Sequence, residues 1–193
     1  MRLCVYGAAS PTIDREYIET VEKLGEQMVL RGHSLVFGGG GNGLMGAVAR
    51  GVHAKGGEIF GVIPAFFKEE GVEALCDFTE NLVYPETMRE RKQIMEDNAD
   101  AFIVTPGGIG TFEEFFEILT LKQLCRHEKP IVIYNINGYY DEMILFMRKA
   151  IDEQFLRESC MDLFYVTDDP DDLFRYLENP AEPKHSVKEL KDG

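Results

Sequence analysis

Apolar residues gather along the chain in short runs at 3–6, 34–37, 58–63, 101–105, 130–135 and 163–166. The runs lack the alternation of a strand that keeps one face in water, so they predict strands covered on both sides. Between them the period lengthens. Ile13, Tyr17, Val21, Leu24 and Met28 recur at steps of three and four, and Leu44, Met45, Val48 and Val52 do likewise. That spacing places each set on one helical face. Strands alternating with helices predict an α/β fold: a single Rossmann-like, doubly wound parallel sheet flanked by helices, with right-handed crossovers. Ligands of such sheets sit at the carboxyl ends of the strands. No internal repeat or linker divides residues 1–178, which read as one domain. The stretch 179–193, "NPAEPKHSVKELKDG", is polar, carries two prolines and reads as a frayed tail.

Composition narrows the function classes. The formal net charge of −14 argues against nonspecific binding to nucleic acid or to an anionic membrane, since both are polyanions. A small phosphorylated ligand needs only a local positive site and stays open. No apolar run approaches the ~20 residues of a membrane span. The opening "MRLCVYGAAS" reads as a first strand and not as a signal peptide. Cys4, Cys76, Cys125 and Cys160 are scattered in or beside apolar stretches, which reads as reduced thiols in a cytoplasmic protein. His33, His53, His127 and His185 show no metal-ligand spacing with one another or with the cysteines, so no metal is expected.

Two glycine-rich turns stand out. The first, "FGGGGNGLMGAVA" at 37–49, follows a strand and opens a helix. It fits G-x-G-x-x-G from Gly38 and again from Gly41. A dinucleotide fingerprint should follow the first strand, with an acidic residue ending the next one. Here the turn follows the second strand, and Glu58 falls at the start of the third. A nucleotide-contacting loop, with Gly39 and Gly40 as candidate contacts, is therefore the favoured reading over a dinucleotide site; a purely structural tight turn stays open. The second, "TPGGIGTFEE", spans 105–114. Pro106 ends a strand, Gly107, Gly108 and Gly110 permit a sharp turn, and Thr111 can cap the new helix or offer a hydroxyl to a phosphate. The bland alternative is a strand-to-helix turn whose acids favour the positive helix end.

The glutamates that follow differ in position. At 100° per residue Phe112, Phe115, Phe116 and Leu119 share an apolar face, and Glu113 and Glu117 share a polar edge, where solvation is the simple reading. Glu114 instead heads a second apolar stripe with Ile118, Leu121 and Cys125. A carboxylate there needs a partner or a task. A cationic counterpart lies upstream in "MRERKQIMEDNA" at 88–99, where Met88, Met95 and Ala99 define one face flanked by Arg91 and Lys92. Snorkelling stems would be the ordinary account. The sharper one has Arg91 facing a ligand anion, Glu114, or both, since arginine binds carboxylate and phosphate bidentately.

With these residues in view, "GGGGNGLMG" (38–46), "MRERK" (88–92) and "PGGIGTFEE" (106–114) resemble the signature motifs of the Lonely Guy (LOG) family, cytokinin riboside 5′-monophosphate phosphoribohydrolases often mislabelled as lysine decarboxylases. The likeness runs from "VYGAAS" to "NINGYYDEM". It implies a Rossmann-like homodimer that hydrolyses the N-glycosidic bond of nucleoside 5′-monophosphates such as AMP. It implies catalytic roles for Arg91 and Glu114, and substrate contacts from Lys92 and the 107–111 turn. Met88, on the same helix, joins the candidate substrate contacts. Where the family often has histidine this chain has Arg89, and "GAAS" at 7–10 replaces a more serine-rich turn.

The expected chemistry follows. The glycines receive the 5′-phosphate at a helix N-terminus. Glu114, one turn on, reaches the ribose and stabilises an oxocarbenium-like transition state or activates water, with Arg91 holding it ionised. Base and ribose 5-phosphate result, with no cofactor. A lysine decarboxylase would need a pyridoxal-bearing lysine, and nothing singles out Lys92 for that. A non-catalytic nucleotide or cofactor carrier explains both turns but leaves Glu114 idle. An NAD-dependent oxidoreductase would carry bound dinucleotide. The helix at 111–125, apolar on two faces, predicts the homodimer contact.

Overall fold

The computed structural model describes residues 1–71, 74–79, 81–180, 186, 187 and 190. In chain order the elements are β1 (Arg2–Tyr6), α1 (Arg15–Leu30), β2 (Ser34–Phe37), α2 (Gly43–Ala54), β3 (Ile59–Val62), α3 (Ala65–Glu70), β4 (Asn81–Val83) and α4 (Met88–Asp97). They continue with β5 (Ala101–Val104), α5 (Ile109–Gln123), β6 (Ile131–Tyr134), α6 (Asp141–Asp152), β7 (Tyr165–Thr167) and α7 (Pro170–Glu178). Among the described residues, seven strands form one sheet in the order β4-β3-β2-β1-β5-β6-β7. Every pairing in it is parallel.

Because side chains alternate across a strand, each central strand feeds two cores. Leu3, Val5, Ile103 and Val132 point to the face covered by α1, α2 and α7. Cys4, Tyr6, Phe102, Val104 and Ile133 point to the face that α4, α5 and α6 cover. This two-sided burial is why the runs read as apolar throughout. β4 was not foreseen: it is a three-residue edge strand, half-exposed and opened by Asn81, so no apolar run marks it. The run at 163–166 divides, with Leu163 closing a 3₁₀ turn and the strand starting at Tyr165.

Helix starts follow local chemistry. The Asp14 side chain accepts the Glu16 N–H at the head of α1. α4 opens on a capping box, in which Thr87 accepts the Glu90 N–H and the Glu90 carboxylate accepts the Thr87 N–H. No helix among the described residues is long and apolar enough to cross a membrane. The tail expected to fray lies mostly outside the described residues; within it, Leu190 is buried and its carbonyl accepts from the Gln123 amide.

Candidate active site

The strand order reverses between β1 and β5. From β1 the sheet grows outward to β4, and from β5 it grows the other way to β7. Loops leaving the two central strands part at that point, and a crevice opens at the carboxyl ends. A cavity of about 390 Å³ fills it. Its walls come from the turn after β1 (residues 7–10), from Gly38 and Gly40 after β2, from α4, and from the head of α5.

The head of α5 is open and faces the cavity. The helix begins at Ile109, three residues earlier than Thr111 as a cap would place it, and its N-cap is Gly108, which has no side chain to cap with. The first four N–H groups of a helix lack intrahelical acceptors, so those of 108–111 stand open at the positive end of the helix dipole. A Cβ at Gly108 or Gly110 would meet nothing within 4 Å, and both residues line the cavity. Thr111 sits in the first turn, buried, and lines it too. Gly107 does not; a Cβ there would stand 2.1 Å from Thr111 Oγ1, so its bareness makes room for the threonine.

The other glycine turn is arranged differently. The N–H groups of Leu44 and Met45, at the head of α2, both donate to the Ala8 carbonyl, at 2.8 and 3.4 Å. The protein's own backbone thus fills the place an anion would take. Gly40 lines the cavity, but Gly39 does not: its carbonyl accepts the Cys76 N–H. Gly38, which opens the G-x-G-x-x-G match but was not among the candidate contacts, also lines the cavity. A Cβ on it would stand 2.1 Å from Nη2 of Arg91, so only glycine lets the guanidinium lie there.

Arg91 and Glu114 meet as the stripes suggested. Arg91 Nη1 donates to Glu114 Oε1 at 3.1 Å, and its Nε donates to the Val62 carbonyl at 3.2 Å. Their side chains are 12% and 10% exposed, and both line the cavity. Arg91 was expected to keep Glu114 ionised. Burial outweighs that pull and pushes the Glu114 carboxyl up to about 7, with Glu113 adding to the rise. Met88 also lines the cavity, as do Met45 and Phe67.

Lys92 is placed elsewhere. Its ammonium is paired with the carboxylates of Glu113 and Glu117, and it does not line the cavity. Burial alone would lower its pKa, but the bonds from the two glutamates outweigh it and hold it above the ordinary lysine value. The polar edge of α5 thus clamps α4 while Glu113 stays exposed to solvent and Glu117 is half-exposed. Arg91–Glu114 and Lys92–Glu113 form two adjacent rungs between the helices. Among the described residues no group of three or more His, Cys, Asp or Glu side chains could hold a metal ion.

Comparison with known proteins bears on this site. A family profile described as "Possible lysine decarboxylase" matches residues 45–177. A "Probable cytokinin riboside 5'-monophosphate phosphoribohydrolase" of Oryza sativa subsp. japonica is 38% identical over 98% of this chain and 76% of its own length. A cytokinin riboside 5'-monophosphate phosphoribohydrolase of Arabidopsis thaliana is 36% identical over 95% of this chain and 85% of its own. Among solved structures, the molybdenum cofactor carrier protein of Chlamydomonas reinhardtii superposes with a TM-score of 0.67 at 18% identity, over 92% of this chain and 96% of that one. At that identity the likeness shows a shared fold.

Proposed function

The chain belongs to the Lonely Guy family of phosphoribohydrolases, and from that premise we propose that it cleaves the N-glycosidic bond of purine nucleoside 5′-monophosphates of the cytokinin type, giving free base and ribose 5-phosphate. One observation carries the reading: a buried carboxylate, Glu114, opens on the same cavity as an uncapped helix N-terminus one turn away. The two features suit the two ends of a ribose 5-phosphate.

The 5′-phosphate lies against the N–H groups of 108–111 and the Thr111 hydroxyl, where the helix end favours negative charge. Glu114 cannot also face the phosphate without repulsion, so it addresses the sugar. As the bond to the base breaks, positive charge grows at the anomeric carbon, and a nearby carboxylate stabilises it or takes the proton of the attacking water. Arg91 holds that carboxylate in place through its bonds to Glu114 and the Val62 carbonyl. The base is left to apolar side chains such as Met45, Phe67 and Met88.

A carrier protein of the same fold would use the cavity but would have no use for a buried carboxylate–guanidinium pair. Decarboxylation through a Schiff base on Lys92 is disfavoured as well, because that ammonium is clamped by two carboxylates and lies off the cavity. The deciding assay is product analysis with AMP and N6-isopentenyl-AMP side by side. Release of adenine or isopentenyladenine with equimolar ribose 5-phosphate is expected. Binding of either nucleotide with no base released would replace the hydrolase with the carrier.

The homodimer reading rests on a second feature. Phe116, Phe146 and Phe155 are 41%, 70% and 83% exposed around one apolar groove of about 240 Å³ between α5 and α6. Exposed aromatics so grouped suit a self-complementary contact. A monomer in sedimentation at micromolar concentration would contradict it. Cys4, Cys76 and Cys160 are buried thiols, which suits a reducing compartment such as the cytoplasm.

A further inference from the structure

We propose that Tyr139 is a positioning residue for the phosphate turn, acting through the peptide bond between Gly107 and Gly108. The proposal rests on the reading of 107–111 as the phosphate site. In a planar trans peptide the carbonyl of one residue and the N–H of the next point in opposite directions. Whatever holds the Gly107 carbonyl therefore aims the Gly108 N–H. The Tyr139 hydroxyl donates to that carbonyl at 2.7 Å. The Ala8 N–H does the same for the Pro106 carbonyl at 3.0 Å, which aims the Gly107 N–H. The Tyr140 hydroxyl donates to the Thr105 carbonyl at 2.8 Å and anchors the start of the turn. Three consecutive carbonyls are thus each held by a donor from another element.

The Gly107–Gly108 link is the one in this turn that most needs holding. With glycine on both sides no side chain restricts its rotation. A flipped peptide would exchange the Gly108 N–H for a carbonyl oxygen at the place a phosphate occupies. Open space around Gly108 leaves room for that flip, since a Cβ there would meet nothing within 4 Å.

The segment carrying the tyrosines is itself preset. Asn137 and Gly138 both take positive φ, at 54° and 70°, and Asn135 Oδ1 accepts the Tyr140 N–H at 2.7 Å. The Tyr139 ring packs edge-on against Tyr140 and Tyr17, with centroids 5.0 and 6.4 Å away. "NINGYYDEM" is thereby a strap whose first tyrosine reaches across to the turn after β5.

Tyr139→Phe in the full chain tests this, because it removes the hydroxyl and keeps the ring. The measurements are kcat and KM for AMP, and the inhibition constants of the two products separately. Loss of one hydrogen bond should raise KM for AMP and the inhibition constant of ribose 5-phosphate together, about three- to tenfold, with a smaller change in kcat. The inhibition constant of adenine, which has no phosphate, should stay put and so report an intact cavity. An unchanged ribose 5-phosphate constant, or an adenine constant that rises in step with it, would overturn the positioning role. A wild-type enzyme indifferent to ribose 5-phosphate would overturn the phosphate assignment itself, and the clamp with it.

Discussion

Glu114→Gln keeps the side chain's shape, removes its charge, and separates a catalytic task from a structural one. Burial raises the carboxyl from an ordinary glutamate value of 4.5 to about 7. Each factor of ten in proton affinity is worth about 1.4 kcal/mol, so ionising this group is about 3 kcal/mol harder in the folded chain than in the unfolded one. The sign follows from proton counting. Between pH 4.5 and about 7 the folded chain holds a proton that the unfolded chain has lost. The stability this lends is full in acid and disappears as pH rises through 7. Glutamine has no proton to lose, and its amide oxygen can still accept from Arg91. From pH 4.5 to pH 8 the wild type should therefore lose about 3 kcal/mol relative to the variant. Urea melts at the two pH values read this difference, and initial rates of adenine release read the chemistry. The rate should tell the opposite story. kcat should fall ~10²–10³-fold in the variant, as for loss of one preorganised charged group. Wild-type kcat/KM should rise with pH through about 7 as the acting carboxylate forms. A variant that keeps near-native kcat and is markedly less stable than wild type at pH 8 would refute the reasoning. The pair would then be a structural ion pair, and the catalytic carboxylate would have to be Glu113 or Glu117.

Arg91→Ala should lower kcat on a similar scale, and combined with Glu114→Gln it should cost less than the two separate losses together, because the groups act as a unit. Gly38→Ala should lower kcat by about 10²-fold with a melting temperature close to wild type, since the new methyl displaces the guanidinium at the cavity surface; an unimpaired Gly38→Ala enzyme would mean that the guanidinium position does not matter. Adenosine should be hydrolysed far more slowly than AMP, measured as kcat/KM, because phosphate binding positions the reacting bond.

Much of the fold was legible because this sheet is parallel and buried on both faces. Continuous apolar runs at 3–6, 34–37 and 101–105 have few other uses in a short chain. The same logic explains the miss. β4 pairs only with β3 at the sheet edge, so Asn81, Leu82 and Val83 need not be buried and leave no run. Helix α4 was marked by more than its faces. Thr87 and Glu90 stand at capping-box spacing, and that box sets where the helix starts and hence which side of it carries Arg91.

The site shows where reading one segment at a time stops. Arg91 and Glu114 could be found separately, because a charge on an apolar stripe is costly wherever the stripe is packed. Lys92, Glu113 and Glu117 could not, because a helical wheel gives the faces of one helix and not its neighbour. The polar edge of α5 turned out to face α4, and the clamp on Lys92 is a property of that adjacency. The two glycine turns make the point most sharply. Both follow a strand, both open a helix, and both leave backbone N–H groups at a positive helix end. What separates them is the Ala8 carbonyl, which arrives from the turn after β1 and occupies the head of α2, while among the described residues no backbone carbonyl from another element occupies the head of α5. On the proposed reading, the anion site is the helix end that the described chain leaves open. Which end is vacant depends on a residue far from either turn, so it becomes visible only once the strands are side by side.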